Sequence, residues 1–289
     1  MTMQLPPPTL AVSKRNPVLR LIAAYPITTY FVVAIGTQIL ILASQYYEIH
    51  NHGLAALRLY TPAIFALVVG VIAEGPAAAT KNLGSLIKFK VSPKYYLFGL
   101  LYPGFVGMLA LGCLWAVGAI HEFEFGFAEA HQFGFFELTI SAAAVEEIAW
   151  VGFAMAILAR RYQLFQACAM TGLMWGIWYI PLVYARVQVA EGLPIGPLLL
   201  NFVTIAAICG WLYLRTQSAA VVFVMQLTTN YTSQVIPLLP LRGGYAQYVA
   251  FVVMKALFAL SLYVFWGPRK MFGPITPGTS SLEPLGSSA

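Results

Sequence analysis

The sequence predicts an all-α membrane protein, a bundle of about eight transmembrane helices around a polar cavity. Three observations carry the prediction. The 289 residues are 60% hydrophobic and only 9% charged, with a mean hydropathy of +0.78, whereas soluble domains carry roughly a quarter charged residues. The apolar residues fall into long unbroken runs, such as Phe251 to Trp266, and lack the period-two alternation of a spanning β-barrel. The lysines and arginines gather at alternate run ends.

A bilayer core needs roughly 20 apolar helical residues. Eight segments qualify, at 19–44, 57–77, 95–120, 136–159, 163–185, 196–214, 218–239 and 245–267. Twelve of the sixteen basic residues fall on one side: Lys14, Arg15, Arg20, Lys81, Lys88, Lys90, Lys94, Arg160, Arg161, Arg215, Arg269 and Lys270. The other side has Arg58, Arg186 and Arg242 with the acidic loop Glu122, Glu124 and Glu129. Cytoplasmic loops hold the basic excess, so both termini are expected in the cytoplasm and the chain is expected in the cell membrane. That distribution accounts for the pI of 9.2 with membrane lipids as partners and no nucleic acid. The basic segment Thr80 to Tyr96 reads either as lying along the anionic inner leaflet or as a solvated loop. Residues 1–18 form a polar, Pro-rich cytoplasmic segment, 19–267 the membrane domain, and 268–289 a Pro-, Gly- and Ser-rich tail expected to be disordered. Cys113, Cys168 and Cys209 stand singly in apolar stretches and read as neither disulfide nor metal site.

Ionisable residues inside spans are functional candidates by default. The fourth span contains Glu146 and Glu147 side by side, which an α-helix points about 100° apart, so one can face a wet site while the other needs its own partner. A cation at 151, one turn on, would pair Glu147, but that position is Val151. Glu147 is then expected to be either protonated or paired from another span, with Lys255 as candidate; the alternative for Lys255 is that it snorkels to an interface. Alternatively both acids are neutral and bonded to backbone or helix neighbours. Helical rise puts Glu146 roughly 21 Å in from Arg160, Tyr179 roughly 24 Å from Gln163, Asn230 roughly 22 Å and Gln226 roughly 16 Å from Arg215. Three helices thus bring polar groups to one layer. For Gln226 and Asn230 alone, interhelical glue is the simpler account.

On these residues the chain resembles bacterial members of the CPBP family, the CAAX protease and bacteriocin-processing intramembrane endopeptidases. The family pattern is E-E-x-x-x-R, then F-x-x-x-H within G-[LI]-W-H-x-P, then H-x-x-x-N. The match extends over about 60–235, through the basic segment, Glu146-Glu147, Gly176-Ile177-Trp178 with Pro181, and Arg215-Thr216 with Ser218 ahead of Asn230. The resemblance implies an eight-helix fold with a water-filled cavity, Glu146 as the water-activating glutamate and Asn230 as an oxyanion donor. The chain departs from the pattern at four places: Val151 replaces the arginine, Trp175 the phenylalanine, Tyr179 the first histidine and Gln226 the second.

His50, His52, His121 and His131 are all expected on the outer side, away from the glutamates. Histidine is the usual neutral zinc ligand and no H-E-x-x-H is present, so no metal and no other cofactor is expected. Tyr179, Gln226 and Asn230 can donate hydrogen bonds, but a tyrosine titrates near about 10 and amides do not titrate. Two lost acid–base or oxyanion groups would each cost about 10²–10⁴ in rate. The sequence is therefore compatible with a glutamate-based endopeptidase or with an inactive relative that binds a peptide or lipidated protein. A transporter using the same polar layer is a third reading, without an inverted repeat to favour it.

The charge asymmetry makes a testable topology. A cysteine introduced near Gly126 should be modified by an impermeant maleimide from outside, and one near Gly278 should be spared; the reverse pattern would overturn the orientation.

Overall fold

The computed structural model describes residues 16–46, 52–127, 133–186, 192–240 and 243–266. The terminal segments expected at 1–18 and 268–289 fall almost wholly outside them. All regular structure among the described residues is helical. The helices are α1 (Pro17–Ala24), α2 (Pro26–Tyr46), α3 (His52–Glu74), α4 (Pro76–Leu86), α5 (Pro93–Ala116) and α6 (Phe133–Glu146), then α7 (Leu164–Ala185), α8 (Ile195–Thr216), α9 (Ala219–Val235) and α10 (Tyr245–Trp266). Helix α6 continues as a nine-residue π-helix, Glu147–Met155, and closes with a last α-turn at Ala156–Leu158.

Among the described residues, seven helices are long and apolar enough to cross a bilayer: α2, α3, α5, α6 with its π-extension, α7, α8 and α10. The protein is a polytopic α-helical membrane protein. The eighth expected segment forms α9, which is only 17 residues and carries Gln226, Thr228, Thr229, Asn230, Thr232, Ser233 and Gln234. It nevertheless crosses the bundle end to end. The Ser218 hydroxyl at its start donates to the Lys88 carbonyl at 2.6 Å, and the Val235 carbonyl at its end accepts from Gly126 N–H at 2.7 Å. Those two loops bound α5, so α9 runs alongside α5 over the same thickness. Its polar side chains can be carried at depth because the bundle surrounds them.

The structure revises three local expectations. The first span does not run from 19: the helix breaks at Tyr25, and Pro26, lacking an amide hydrogen, starts a new one. The segment Thr80 to Tyr96 is not one loop, since α4 runs to Leu86 and α5 starts at Pro93, with exposed Ile87 and Phe89 among Lys88 and Lys90 between them. Arg58, counted above with outer charges, is buried within α3. Of the four histidines only His121 has a described side chain, exposed beyond α5.

The π-segment lies at the centre. Val151 and Met155 join a core with Val106, Leu111, Cys168, Ile208 and Leu262, while Ala149, Trp150 and Phe153 join a second core with Tyr30, Ala66, Trp175 and Phe202. Helix α7 packs along α8, α5 against α9 and α10, and α2 against α3. At the helix ends Arg160 forms a bidentate pair with Glu74 at 2.6 and 3.0 Å. Half-exposed pairs of this kind contribute little to stability.

The α7–α8 approach depends on Gly172, where an added Cβ would stand 2.4 Å from the Val203 Cα. Small residues allow helix backbones this close in membrane bundles. Gly172→Ala should therefore destabilise the protein by at least the roughly 1–3 kcal/mol of an overpacked core, measured by thermal unfolding in detergent. Gly36→Ala, with no atom within 4 Å of its Cβ position, should leave the midpoint unchanged.

Candidate functional site

Glu146 closes the α-helical part of the fourth span and is 5% exposed. Both its carboxylate oxygens accept hydrogen bonds. The Tyr179 hydroxyl, from α7, donates to Oε1 at 2.9 Å. The Gln226 amide, from α9, donates to Oε2 at 2.5 Å. Three helices thus converge on one carboxylate. Tyr179 is held by rings: Phe202 lies 4.4 Å away centroid to centroid and Trp178 5.3 Å. Gln226 is 3% exposed, and its own Oε1 lies 3.9 Å from the Cys209 sulfur.

These residues border a pocket of about 390 Å³ that Trp175, Asn201, Phe202, Asn230, Tyr248 and Lys255 also line. Asn230 faces this space half-buried, one turn beyond Gln226, with its amide free of hydrogen-bond partners among the described residues. Of the five residues singled out in the sequence, the structure therefore gathers Glu146, Tyr179, Gln226 and Asn230 at one pocket.

Glu147 is elsewhere. It is fully buried, absent from the pocket lining, and neither of its oxygens has a hydrogen-bond partner among the described residues. The pairing of Glu147 with Lys255 does not occur. Lys255 donates instead to the Asn201 side-chain oxygen and lies 4.6 Å from the Phe251 ring centroid. The reason is direction: Glu147 turns away from the pocket, whereas Lys255 lines it.

The sequence reading missed Asn201 and Asn82. Asn201 is an isolated polar residue in an apolar span, which was a usable signal. The Asn82 amide donates to the Ile148 carbonyl at 3.0 Å, in the first turn of the π-helix. That contact needs Gly152, since a Cβ there would stand 2.0 Å from the Asn82 oxygen. No local pattern announces it, because the partners lie 66 residues apart.

Chemically, the site offers an acceptor-only group when Glu146 is ionised, pinned by a hydroxyl and an amide. It also offers a free amide, on Asn230, and a buried ammonium, on Lys255, both lining the same pocket. Residues 129–232, which include Glu146, Tyr179, Gln226 and Asn230, match the family model described as Type II CAAX prenyl endopeptidase Rce1-like. Over 104 residues, 35% of this chain, the sequence is 33% identical to the CAAX prenyl protease 2 of Methanococcus maripaludis. The matched stretch spans 37% of the length of that relative.

The observed partners set a double-mutant cycle. Lys255→Met and Glu147→Gln should have additive effects on thermal stability. Lys255→Met and Asn201→Leu should couple by about 0.5–3 kcal/mol. Coupling of the first pair in place of the second would contradict the contact seen here.

Proposed function

We propose, from the match of residues 129–232 to the Rce1-like CAAX prenyl endopeptidase model, that the chain belongs to that superfamily and that its central pocket admits an extended peptide segment within the membrane and hydrolyses a peptide bond there. The observation that carries this reading is the Glu146 carboxylate, fixed by Tyr179 and Gln226 at the wall of a pocket that Asn230 shares. In the proposed reaction Glu146 takes a proton from a water, whose oxygen bonds to the scissile carbonyl carbon. The oxyanion that forms accepts a hydrogen bond from the Asn230 amide, the kind of donor that contributes about 10²–10³ in rate. Collapse breaks the C–N bond, and Glu146 returns its proton to the leaving amine. Tyr179 and Gln226 stand where the family pattern has histidines, and their role is to hold the carboxylate. No step needs a metal or other cofactor. The substrate is a peptide segment, with or without a lipid modification, and both chain termini lie in the cytoplasm, as the lysine and arginine distribution supports.

A second reading is favoured by one observation: the Tyr179 and Gln226 donors are both used on Glu146 itself. Neither then serves the substrate, and neither is a proton shuttle near neutral pH. On that reading the pocket binds a peptide or a lipidated partner and does not cut it.

One experiment separates the two. Purified protein in nanodiscs is incubated with a peptide library, and products are identified by mass spectrometry beside a Glu146→Gln control. Cleavage that disappears in Glu146→Gln supports hydrolysis; peptides retained uncut by the wild type support the binding reading. Tyr179→His with Gln226→His should then raise cleavage by about 10²–10⁴, a gain that Glu146→Gln should abolish. Arginine at 151 is left out of the variant, since Val151 is 1% exposed within an apolar core that the longer side chain would overpack.

A further inference from the structure

The pocket beside Glu146 contains a charge that the hydrolytic reading does not use. Lys255 is 1% exposed, lies in the middle of α10 and lines the pocket. Among the described residues its ammonium meets two neutral groups, the Asn201 oxygen and the Phe251 ring. An ammonium carries three N–H donors, and Asn201 accepts one of them.

Charged residues inside spans pair with one another, with backbone carbonyls, or face a wet cavity. Glu146 is the one carboxylate among the residues lining this pocket, and its oxygens are held by Tyr179 and Gln226. The cation therefore faces a space whose other walls are largely apolar, with Phe202, Ile205 and Leu239 among them. That combination selects an occupant that is apolar along its length and anionic at one point.

We propose that Lys255 is the receptor for a terminal carboxylate on an apolar chain occupying the pocket. The inference rests on the peptide-binding reading above and deepens it: the occupant is a peptide entering by its free C-terminus. Asn201 orients the ammonium, and its two remaining donors take the carboxylate oxygens. A fatty acid presents the same chemistry, so the test distinguishes the two sources.

Binding is measured on the full chain with Glu146→Gln, in nanodiscs, where turnover does not deplete the ligand. The probes are a pool of apolar hexapeptides prepared as C-terminal acids and as C-terminal amides, with palmitate and palmitamide as a second pair. The peptide acids should bind about tenfold or more tightly than the amides, the scale of one hydrogen-bonded charge. The preference should vanish in Lys255→Met and survive in Lys255→Arg. The acids, and not the amides, should also slow modification of Lys255 by an amine-reactive reagent, a reading that needs no variant at this position. A Lys255-dependent preference confined to palmitate keeps the carboxylate site and reassigns its source to a fatty acid. Equal affinity for acid and amide in both pairs, no binding of any probe, or a preference that persists in folded Lys255→Met overturns the proposal. Acid-selective binding without cleavage by the wild type would sink the hydrolytic reading alone, and cleavage without acid selectivity would sink this one alone.

Discussion

A carboxylate removed from water must find donors, and in a membrane bundle it must find them on neighbouring helices. Burying an unpaired ionised group is far more costly than burying an apolar one, so Glu146 fixes where α7 and α9 can sit. Tyr179 and Gln226 lie 33 and 80 residues away in the chain, and their bonds to opposite oxygens of one side chain tie three helices at a single depth. The short, polar α9 is tolerable for the same reason. Its Gln226 faces a carboxylate, its Asn230 faces a pocket, and its ends are held by Lys88 and Gly126.

The π-helix begins where this constraint ends. A π-turn inserts an extra residue per turn and recurs at functional sites. Here it follows Glu146 directly and continues through Met155. It lets one span supply Val151 and Met155 to one core and Trp150 and Phe153 to the other. The Asn82 bond to the Ile148 carbonyl, made across the gap left by Gly152, gives the widened turn an external partner. Glu147, the first residue of the π-helix, is carried out of the pocket altogether.

The pocket is built from two kinds of sequence. Glu146, Tyr179, Gln226 and Asn230 lie within the stretch that matches the Rce1-like family model. Leu59, Leu239, Tyr248, Phe251 and Lys255, which also line it, lie outside that stretch. The carboxylate and the cation thus belong to different parts of the chain, and the proposed division of labour follows: the shared part supplies the reacting groups and α10 supplies recognition of what enters.

Composition and unbroken apolar runs were enough to determine an all-helical membrane protein, because a bilayer leaves the backbone almost no other way to satisfy its hydrogen bonds. That Glu146, Tyr179, Gln226 and Asn230 come together was also legible, since helical rise let each be counted from the end of its span to a common layer. What counting could not supply was rotation about each helix axis and the identity of partners across helices. The i, i+4 position from Glu147 holds Val151 and so offers no partner, and a local pattern of apolar residues does not distinguish the π-helix that begins at Glu147 from an α-helix. Lys255 looked like a partner for Glu147 because both are charges lacking a local mate. Only the packed bundle decided that one turns into the pocket toward Asn201 and the other turns away, since the direction of a side chain is set by the neighbours against which its helix packs.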